Sequence, residues 1–78
     1  MTSGSEIAEC VRRTLDQYFT DLDGESPNGV YEMVMQSAER PLLETVLSRT
    51  NGNQTLAAEI LGINRNTLRR KLAEYKLL

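Results

Sequence analysis

The stretch from Asn51 to Lys76 constrains the fold more than any other part of this 78-residue chain. Within it, Asn53 and Asn64 lie on either side of Gly62. An asparagine side chain can cap the first turn of a helix, and glycine readily takes the left-handed conformation that ends one. The pattern therefore predicts two short helices, which begin directly after Asn53 and Asn64 and are separated by a turn at Gly62.

Apolar residues on both short helices are spaced to form one core. We expect Leu68 and Leu72, four residues apart on the second helix, to face it. Ala58 lies four residues before Gly62, where helices that cross over a short turn approach closely, and Ile63 should fill the space under that turn. On the first helix the residues predicted to share one apolar face are Leu56, Ala57, Ile60 and Leu61. This arrangement is typical of a helix-turn-helix.

The second short helix should carry a basic outer surface. The residues predicted to lie there are Arg65, Asn66, Arg69 and Arg70, with Lys76 at the end of the helix. Such a helix fits the major groove of double-stranded DNA, where its first residues reach base edges and the others bond phosphates. The alternative is a helical pair with a solvated basic face. Lys71 occupies a position that is apolar in many such motifs, so Leu72 is expected to do the packing.

Charge is distributed unevenly along the chain. The formal net charge is −2, which by itself argues against binding to nucleic acid. Residues 1–50 hold nine acids and four bases, whereas residues 51–78 hold two acids and five bases. The C-terminal part is therefore suited to meet phosphates, and the N-terminal part repels them.

Composition argues against several classes of function. The chain has no histidine, no glycine-rich phosphate loop and one cysteine, Cys10, which we expect to be a small core residue. No enzyme activity, cofactor or metal is predicted. The N-terminus lacks the apolar segment of a signal peptide, and no run reaches membrane-spanning length. The expected location is the cytoplasm, with no membrane partner.

Two longer helices should precede the helix-turn-helix. Residues 1–5 are expected to be disordered, and a first helix should run from Glu6 to Leu22 and end at Gly24. A second should run from about Asn28 to Ser48, with Ser26 or Asn28 as its cap and Pro27 in its first turn. Pro41 lies inside that helix, where it should cause a kink or, alternatively, divide the helix in two. We favour the kink because the apolar pattern continues in phase beyond it.

Apolar residues on these two helices exceed what one chain can cover. We therefore predict an all-α, four-helix protomer whose first two helices form an intertwined bundle with a second copy, followed by the helix-turn-helix. The alternative is a monomer. Residues 6–50 would be the dimerisation helices and residues 51–78 the DNA-binding region of a single domain. The predicted interface residues are Val11, Leu15, Tyr18, Phe19, Val30, Met33, Val34, Leu42, Leu43 and Val46.

From Val11 to Tyr75 the sequence resembles the Fis family of bacterial nucleoid-associated proteins. The resemblance rests on the segments YFTDL, VYEMV, RPLLETV, GNQT and LGINRNTLRRKL. The C-terminal part alone is similar to the DNA-binding domains of nitrogen-regulatory enhancer-binding activators, which stay as an alternative. A third possibility is a helical dimerisation module without DNA binding, against which the five bases of the C-terminal part argue.

The resemblance implies an obligate homodimer that bends DNA at degenerate sites and regulates transcription in the nucleoid. Such sites have a G–C pair near each end and an A/T-rich middle. The resemblance implies that Arg65 reads a guanine edge and that Asn64 lies on the bases beside it. The residues implied to contact the DNA backbone are Asn53, Gln54, Thr55, Thr67, Arg69, Arg70 and Lys71.

Two features depart from better-known members of the family. Those members carry an N-terminal arm that stimulates site-specific DNA inversion, and this sequence begins after the position of that arm, so we do not expect that activity. The turn from Arg49 to Asn53 resembles the surface through which Fis touches RNA polymerase, a further implied partner. Relatives have a basic residue where this chain has Asn51.

Overall fold

The computed structural model describes residues 4–78 of the chain, and within them it contains four α-helices and no β-strand. The helices are α1 (Gly4–Asp21), α2 (Val30–Arg49), α3 (Gln54–Leu61) and α4 (Arg65–Glu74). The predicted all-α class is confirmed. The chain divides into two compact units, Met1–Val34 and Met35–Leu78.

Helix α1 begins earlier than the sequence predicts. Gly4 and Ser5, expected in a disordered tail, are helical, while residues 1–3 of that tail lie outside the described residues. None of the side chains of α1 is buried, and half-buried positions recur along its apolar stripe at Val11, Leu15 and Tyr18. Cys10 is exposed, so the prediction that it packs in a core is wrong for the single chain.

Helix α2 starts later than predicted. The carbonyl of Gly29 accepts the first helical bond, from the N–H of Met33 at 3.0 Å, so Gly29 occupies the N-cap position. Neither Ser26 nor Asn28 caps the helix. The backbone N–H of Asn28 instead lies 3.4 Å from the hydroxyl of Tyr18. No local sequence pattern predicts this contact.

Pro41 does not divide α2. The helix is continuous from Val30 to Arg49 with Pro41 inside it, so the alternative of two separate helices is wrong. A proline inside a helix removes one backbone bond and crowds the carbonyl four residues earlier. The cost is offset by packing on the C-terminal side of the proline, where Leu43 is 2% exposed and Val46 and Leu47 pack around it.

The core of the second unit lies where α3, α4 and the C-terminal part of α2 meet. Its buried apolar residues are Leu43, Ala57, Ala58, Leu68 and Leu72. Half-buried residues packed around them are Val46, Leu47, Leu61, Ile63, Tyr75 and Leu77. Burial of a leucine side chain stabilises a fold by about 1.5–3 kcal/mol. The predicted roles of Leu68, Leu72, Ala58 and Ile63 are confirmed.

Two of the predicted core residues on α3 are exposed instead. Leu56 is 42% exposed and Ile60 is 59% exposed, so their prediction as core residues is wrong. The core takes the side of α3 that carries Ala57 and Ala58, because small side chains allow α4 to come close. Helical periodicity identifies an apolar stripe, but it does not say which edge of that stripe the neighbouring helix covers.

Helices α2, α3 and α4 all end in the same hydrogen-bonded turn, the Schellman motif. The long bond of each motif joins Gly52 to Leu47 at 2.9 Å, Ile63 to Ala58 at 3.1 Å and Leu77 to Leu72 at 2.8 Å. The left-handed residue of each turn is Asn51 (φ 53°), Gly62 (φ 74°) and Lys76 (φ 58°). Gly62 ends α3 as predicted, whereas Lys76 adopts a conformation that is costly for a side chain of its type.

Candidate nucleic-acid interface

The first turn of α4 is fixed by its cap. The side-chain oxygen of Asn64 accepts a hydrogen bond from the N–H of Asn66 at 2.7 Å, and Asn64 itself is extended (φ −66°, ψ 142°). Arg65 is therefore the first residue of the helix, as predicted. Leu68 and Leu72 are both fully buried and set the rotation of the helix about its axis.

This rotation leaves a basic surface on α4. Arg65, Asn66, Arg69 and Arg70 are exposed, and Thr67 is half-buried. Within residues 4–78, ion pairs form at Arg12, Arg40 and Lys71 and at none of the three arginines of α4. Their guanidinium groups therefore remain available to an anionic partner. Arginine suits that role, because its planar fork can bond two oxygens of a phosphate or two acceptors of a base.

The start of α3 adds polar groups. The side-chain oxygen of Asn53 accepts a hydrogen bond from the N–H of Leu56 at 3.1 Å, which confirms the predicted cap. Thr55 is exposed and Gln54 is half-buried in the first turn that follows. The N-terminus of a helix carries partial positive charge, which favours an anion such as a phosphate.

Lys71 differs from the other basic residues of α4. Its ammonium group lies 2.8 Å from Oε2 of Glu39 on α2, and the two side chains are only 30% and 24% exposed. The other oxygen of the same carboxylate, Oε1, accepts a hydrogen bond from the hydroxyl of Tyr75 at 2.8 Å. One carboxylate of α2 therefore holds two side chains from the C-terminal part of α4 and its cap.

Arg40, the residue after Glu39, contacts the same region. Its guanidinium group donates to the backbone carbonyl of Tyr75 at 2.7 Å and lies 5.5 Å from the centre of the Tyr75 ring. It also lies 3.7 Å from the carboxylate of Glu44. Glu39, Arg40, Lys71 and Tyr75 form one cluster, referred to below as the Glu39 network.

Hydrogen bonding within the network changes two pKa values. The bond from Lys71, and after it the bond from Tyr75, lower the pKa of Glu39 because both stabilise the carboxylate; partial burial opposes them. The pKa of Tyr75 is raised, first because its hydroxyl donates to Glu39 and then because of burial and the nearby negative charge. Each group thus favours the protonation state that keeps the network intact at neutral pH.

The second unit is basic although the whole chain is acidic. Residues 35–78 hold seven bases and four acids, against two bases and seven acids in residues 1–34. Among residues 4–78 no His, Cys, Asp or Glu side chains are grouped so as to hold a metal ion. In the same range, each helix is too short or too polar to cross a membrane.

Comparison with known proteins identifies the family. The family model described as "Bacterial regulatory protein, Fis family" matches residues 35–75, which is more than half of the chain and most of the second unit. The chain belongs to the Fis family. The exposed arginines and both asparagine caps of the helix-turn-helix lie inside the matched segment.

Several bacterial relatives named as Fis-like DNA-binding proteins match nearly the full chain. A protein of Ralstonia nicotianae is 58% identical over 76 residues, which are 97% of this chain and 99% of the relative. One of Neisseria meningitidis is 51% identical over 73 residues, 94% of this chain and 92% of the relative. A third, of Pseudomonas aeruginosa, is 48% identical over 75 residues, 96% of this chain and 72% of the relative.

The residues predicted for a Fis-type dimer interface differ in exposure. Most are half-buried, namely Val11, Leu15, Tyr18, Val30, Met33, Val34 and Val46. Phe19 is 51% exposed and Leu42 is 52% exposed, whereas the neighbouring Leu43 is 2% exposed in the single chain. Leu43 is thus fully packed before a second copy is added, and Leu42 is the better probe of any contact between copies.

The Glu39 network is the part of the site that sequence reasoning missed. Sequence patterns assign Glu39 no role, and the resemblance implies that Lys71 contacts the DNA backbone rather than an acid of α2. One signal was present, since Lys71 stands where many helix-turn-helix motifs have an inward-facing apolar residue. A charged side chain at an inward position needs a partner of opposite charge, which indicates an acid on a neighbouring helix.

Proposed function

We propose that this chain is a DNA-bending homodimer of the Fis type that binds degenerate, A/T-rich sites in the nucleoid and regulates transcription. One observation carries the proposal: Arg65, Arg69 and Arg70 are exposed, without ion pairs among residues 4–78, on a helix whose rotation is set by buried leucines. Phosphates supply most of the affinity in such complexes, and arginine is their usual partner.

Individual contacts follow from position along α3 and α4. Arg65 in the first turn of α4 would reach a guanine edge, where a guanidinium group can bond O6 and N7 together, and Asn64 would lie on the bases beside it. Further along α4, Thr67, Arg69 and Arg70 would bond phosphates. At the start of α3 the proposed backbone contacts are Asn53, Gln54 and Thr55.

A second copy of the chain would complete the binding unit. Large apolar side chains are exposed on α1 and α2, among them Ile7 at 61%, Phe19 at 51%, Tyr31 at 78% and Leu42 at 52%. Exposed side chains of this size favour association, because burial of apolar surface is favourable. A two-fold dimer would present one α4 to each of two half-sites in successive major grooves.

One guanine contact per half-site supports only modest specificity. The remaining choice among sites would come from how easily a given sequence bends, and A/T-rich centres with a narrow minor groove differ in that respect. This is the reason to propose a protein that binds many weak sites rather than a few strong ones.

RNA polymerase is a second proposed partner, through the turn from Arg49 to Asn53. Arg49, Asn51, Gly52 and Asn53 are exposed. Replacement of Arg49 by alanine should lower activated transcription in a reconstituted assay and leave DNA affinity within about two-fold of the original, as expected for a surface change.

Salt dependence of binding tests the DNA-binding proposal. The logarithm of the binding constant for a duplex with terminal G–C pairs and an A/T-rich centre should fall linearly with the logarithm of salt concentration. Arg70→Met should make that slope shallower by about 0.9 for each phosphate that the variant no longer neutralises. Arg13→Met, the same change at an exposed position of α1, is the matched control and should leave the slope unaltered. A wild-type slope near zero would overturn the proposal.

A further inference from the structure

Lys71 is directed towards α2 rather than towards solvent. It lies three residues after Leu68 and one before Leu72, both fully buried, and so it borders the packed side of α4. Its ammonium group is 2.8 Å from the carboxylate of Glu39, while Arg70, the residue directly before it, is exposed. Two adjacent basic residues of one helix therefore stand in different environments.

A phosphate contact by Lys71 would carry a cost that one by Arg70 would not. The ammonium group would have to leave a carboxylate at 2.8 Å, and among residues 4–78 Glu39 would keep only its hydrogen bond from the Tyr75 hydroxyl. A partly buried carboxylate that has lost its positively charged partner is unfavourable, and it would also repel the approaching phosphates. The ion pair is therefore expected to persist in the complex.

We propose that Lys71 is a positioning residue: together with Glu39 and Tyr75 it holds the C-terminal end of α4 against α2 and so sets the angle at which α4 presents Arg65 to DNA. The inference rests on the proposed DNA-binding function and refines it. Arg65 and Lys71 are six residues apart, or about 9 Å along a helix axis. Because the helix is short and rigid between these residues, loosening its contact at Lys71 would displace Arg65.

A displacement of the N-terminal end of α4 would affect the base contact of Arg65 more than it would affect phosphate contacts. Arg65 must place two N–H groups on two acceptors of one base, a requirement that tolerates little error in angle. A phosphate contact tolerates more, because a charge is attracted over a range of positions. Disruption of the Glu39 network should therefore reduce discrimination between sequences and leave the electrostatic part of binding nearly intact.

The first test compares Lys71→Met with Arg70→Met, two variants that remove one positive charge from neighbouring positions. Each is titrated across salt concentrations on one duplex. Lys71→Met should retain the wild-type slope, whereas the slope of Arg70→Met should be shallower by about 0.9 per phosphate no longer neutralised, or on the order of two for a dimer. An equally shallow slope in both variants would show that Lys71 contacts phosphate and would overturn the inference.

The second test uses Glu39→Gln, which keeps an acceptor for Tyr75 but removes the charge that holds Lys71. Simple electrostatics predicts tighter binding to every sequence, because an acid has been removed. Positioning predicts that the preference for a duplex with the terminal guanine over one without it falls by roughly three-fold or more, since Arg65 would no longer bond both acceptors of the base. Lys71→Met should show a similar fall in preference.

Unaltered sequence preference in both Glu39→Gln and Lys71→Met would overturn the positioning role. Circular dichroism at each titration temperature checks that both variants are folded. If Glu39→Gln alone failed to fold, Lys71→Met would decide by the same two measurements. A wild-type protein without salt-dependent binding would instead overturn the proposed function, before either variant is compared.

Discussion

Arg65 is the residue on which sequence preference should depend. It follows the Asn64 cap, is exposed, and stands in the first turn of α4. The first residues of a recognition helix reach base edges, whereas later ones face the phosphate backbone. In the proposed complex the other exposed arginines of α4 would contact phosphates, which carry no sequence information directly.

Arg65→Ala should cost about 1–3 kcal/mol per half-site on a duplex with the terminal guanines. The cost should be much smaller on a duplex without them. Arg65→Lys keeps the charge but lacks the planar fork, so it should remain impaired. The test measures the binding free energy of the wild type, Arg65→Ala and Arg65→Lys on both duplexes. An equal cost of Arg65→Ala on the two duplexes would show that Arg65 contacts only phosphate.

The C-terminal end of α4 stores conformational strain. Lys76 has φ 58° and fills the left-handed position of a Schellman motif, where glycine is the favoured residue. Gly62 fills the corresponding position of α3 at φ 74°. A Cβ atom at Gly62 would meet no neighbouring atom within 4 Å, so the conformation alone accounts for the preference for glycine there.

Lys76→Gly should therefore raise the free energy of unfolding by about 1 kcal/mol, because the left-handed conformation costs a side chain roughly that much. For a domain of this size that corresponds to a rise in Tm of about 4–8 °C. Lys76→Ala removes the same charge and stem without relieving the strain, and Gly62→Ala should lower Tm. Thermal melting of the free protein at one concentration compares them; equal Tm values for Lys76→Gly and Lys76→Ala would contradict the explanation.

The contact between α2 and α4 should make stability depend on pH. The folded pKa of Glu39 lies below its ordinary value of 4.5, so the contribution of its carboxylate is present above that pH and is lost as pH falls through the folded pKa. The raised pKa of Tyr75 has the opposite sign: its contribution is present below 10.0 and is lost as pH rises through the folded value.

The free energy of unfolding of the wild type, measured with urea, should therefore fall as the pH is lowered into the acid range. In Glu39→Gln that fall should be less steep. Glu59→Gln is a suitable control, because Glu59 is exposed on α3 and makes no ion pair within residues 4–78. If Glu39→Gln and Glu59→Gln changed the acid decline to the same extent, the Glu39 network would not be its cause.

The exposed apolar residues of α1 and α2 lead us to expect a dimer. Leu42→Glu should abolish dimerisation, because a charge in a buried interface without a partner is costly. Leu56→Glu is the matched control, since Leu56 on α3 is 42% exposed and Leu42 is 52% exposed, yet only Leu42 belongs to the proposed interface. Sedimentation at micromolar concentration should find a dimer for the wild type and Leu56→Glu. A folded wild-type monomer would contradict the expectation.

The helix-turn-helix could be predicted from local sequence alone. Asn53 and Asn64 cap its helices where predicted, because an N-cap is a contact between a side chain and a backbone N–H at most three residues away. Gly62 ends α3 where predicted, because glycine takes the left-handed conformation without a penalty from a side chain. Such contacts are local, so composition and spacing are enough to predict them. The burial of Leu68 and Leu72 followed from helical periodicity for the same reason.

Which side of each helix is covered depends on tertiary packing and not on local sequence. Leu56 and Ile60 are as apolar as the core residues, yet they are exposed because α4 packs against the alanines of α3. Helix α2 begins after Gly29, and just before it the backbone N–H of Asn28 donates to the hydroxyl of Tyr18, ten residues earlier in the sequence. Glu39 and Tyr75 are separated by 36 positions. Contacts of this kind depend on how distant segments meet in space, which no local pattern of residues encodes.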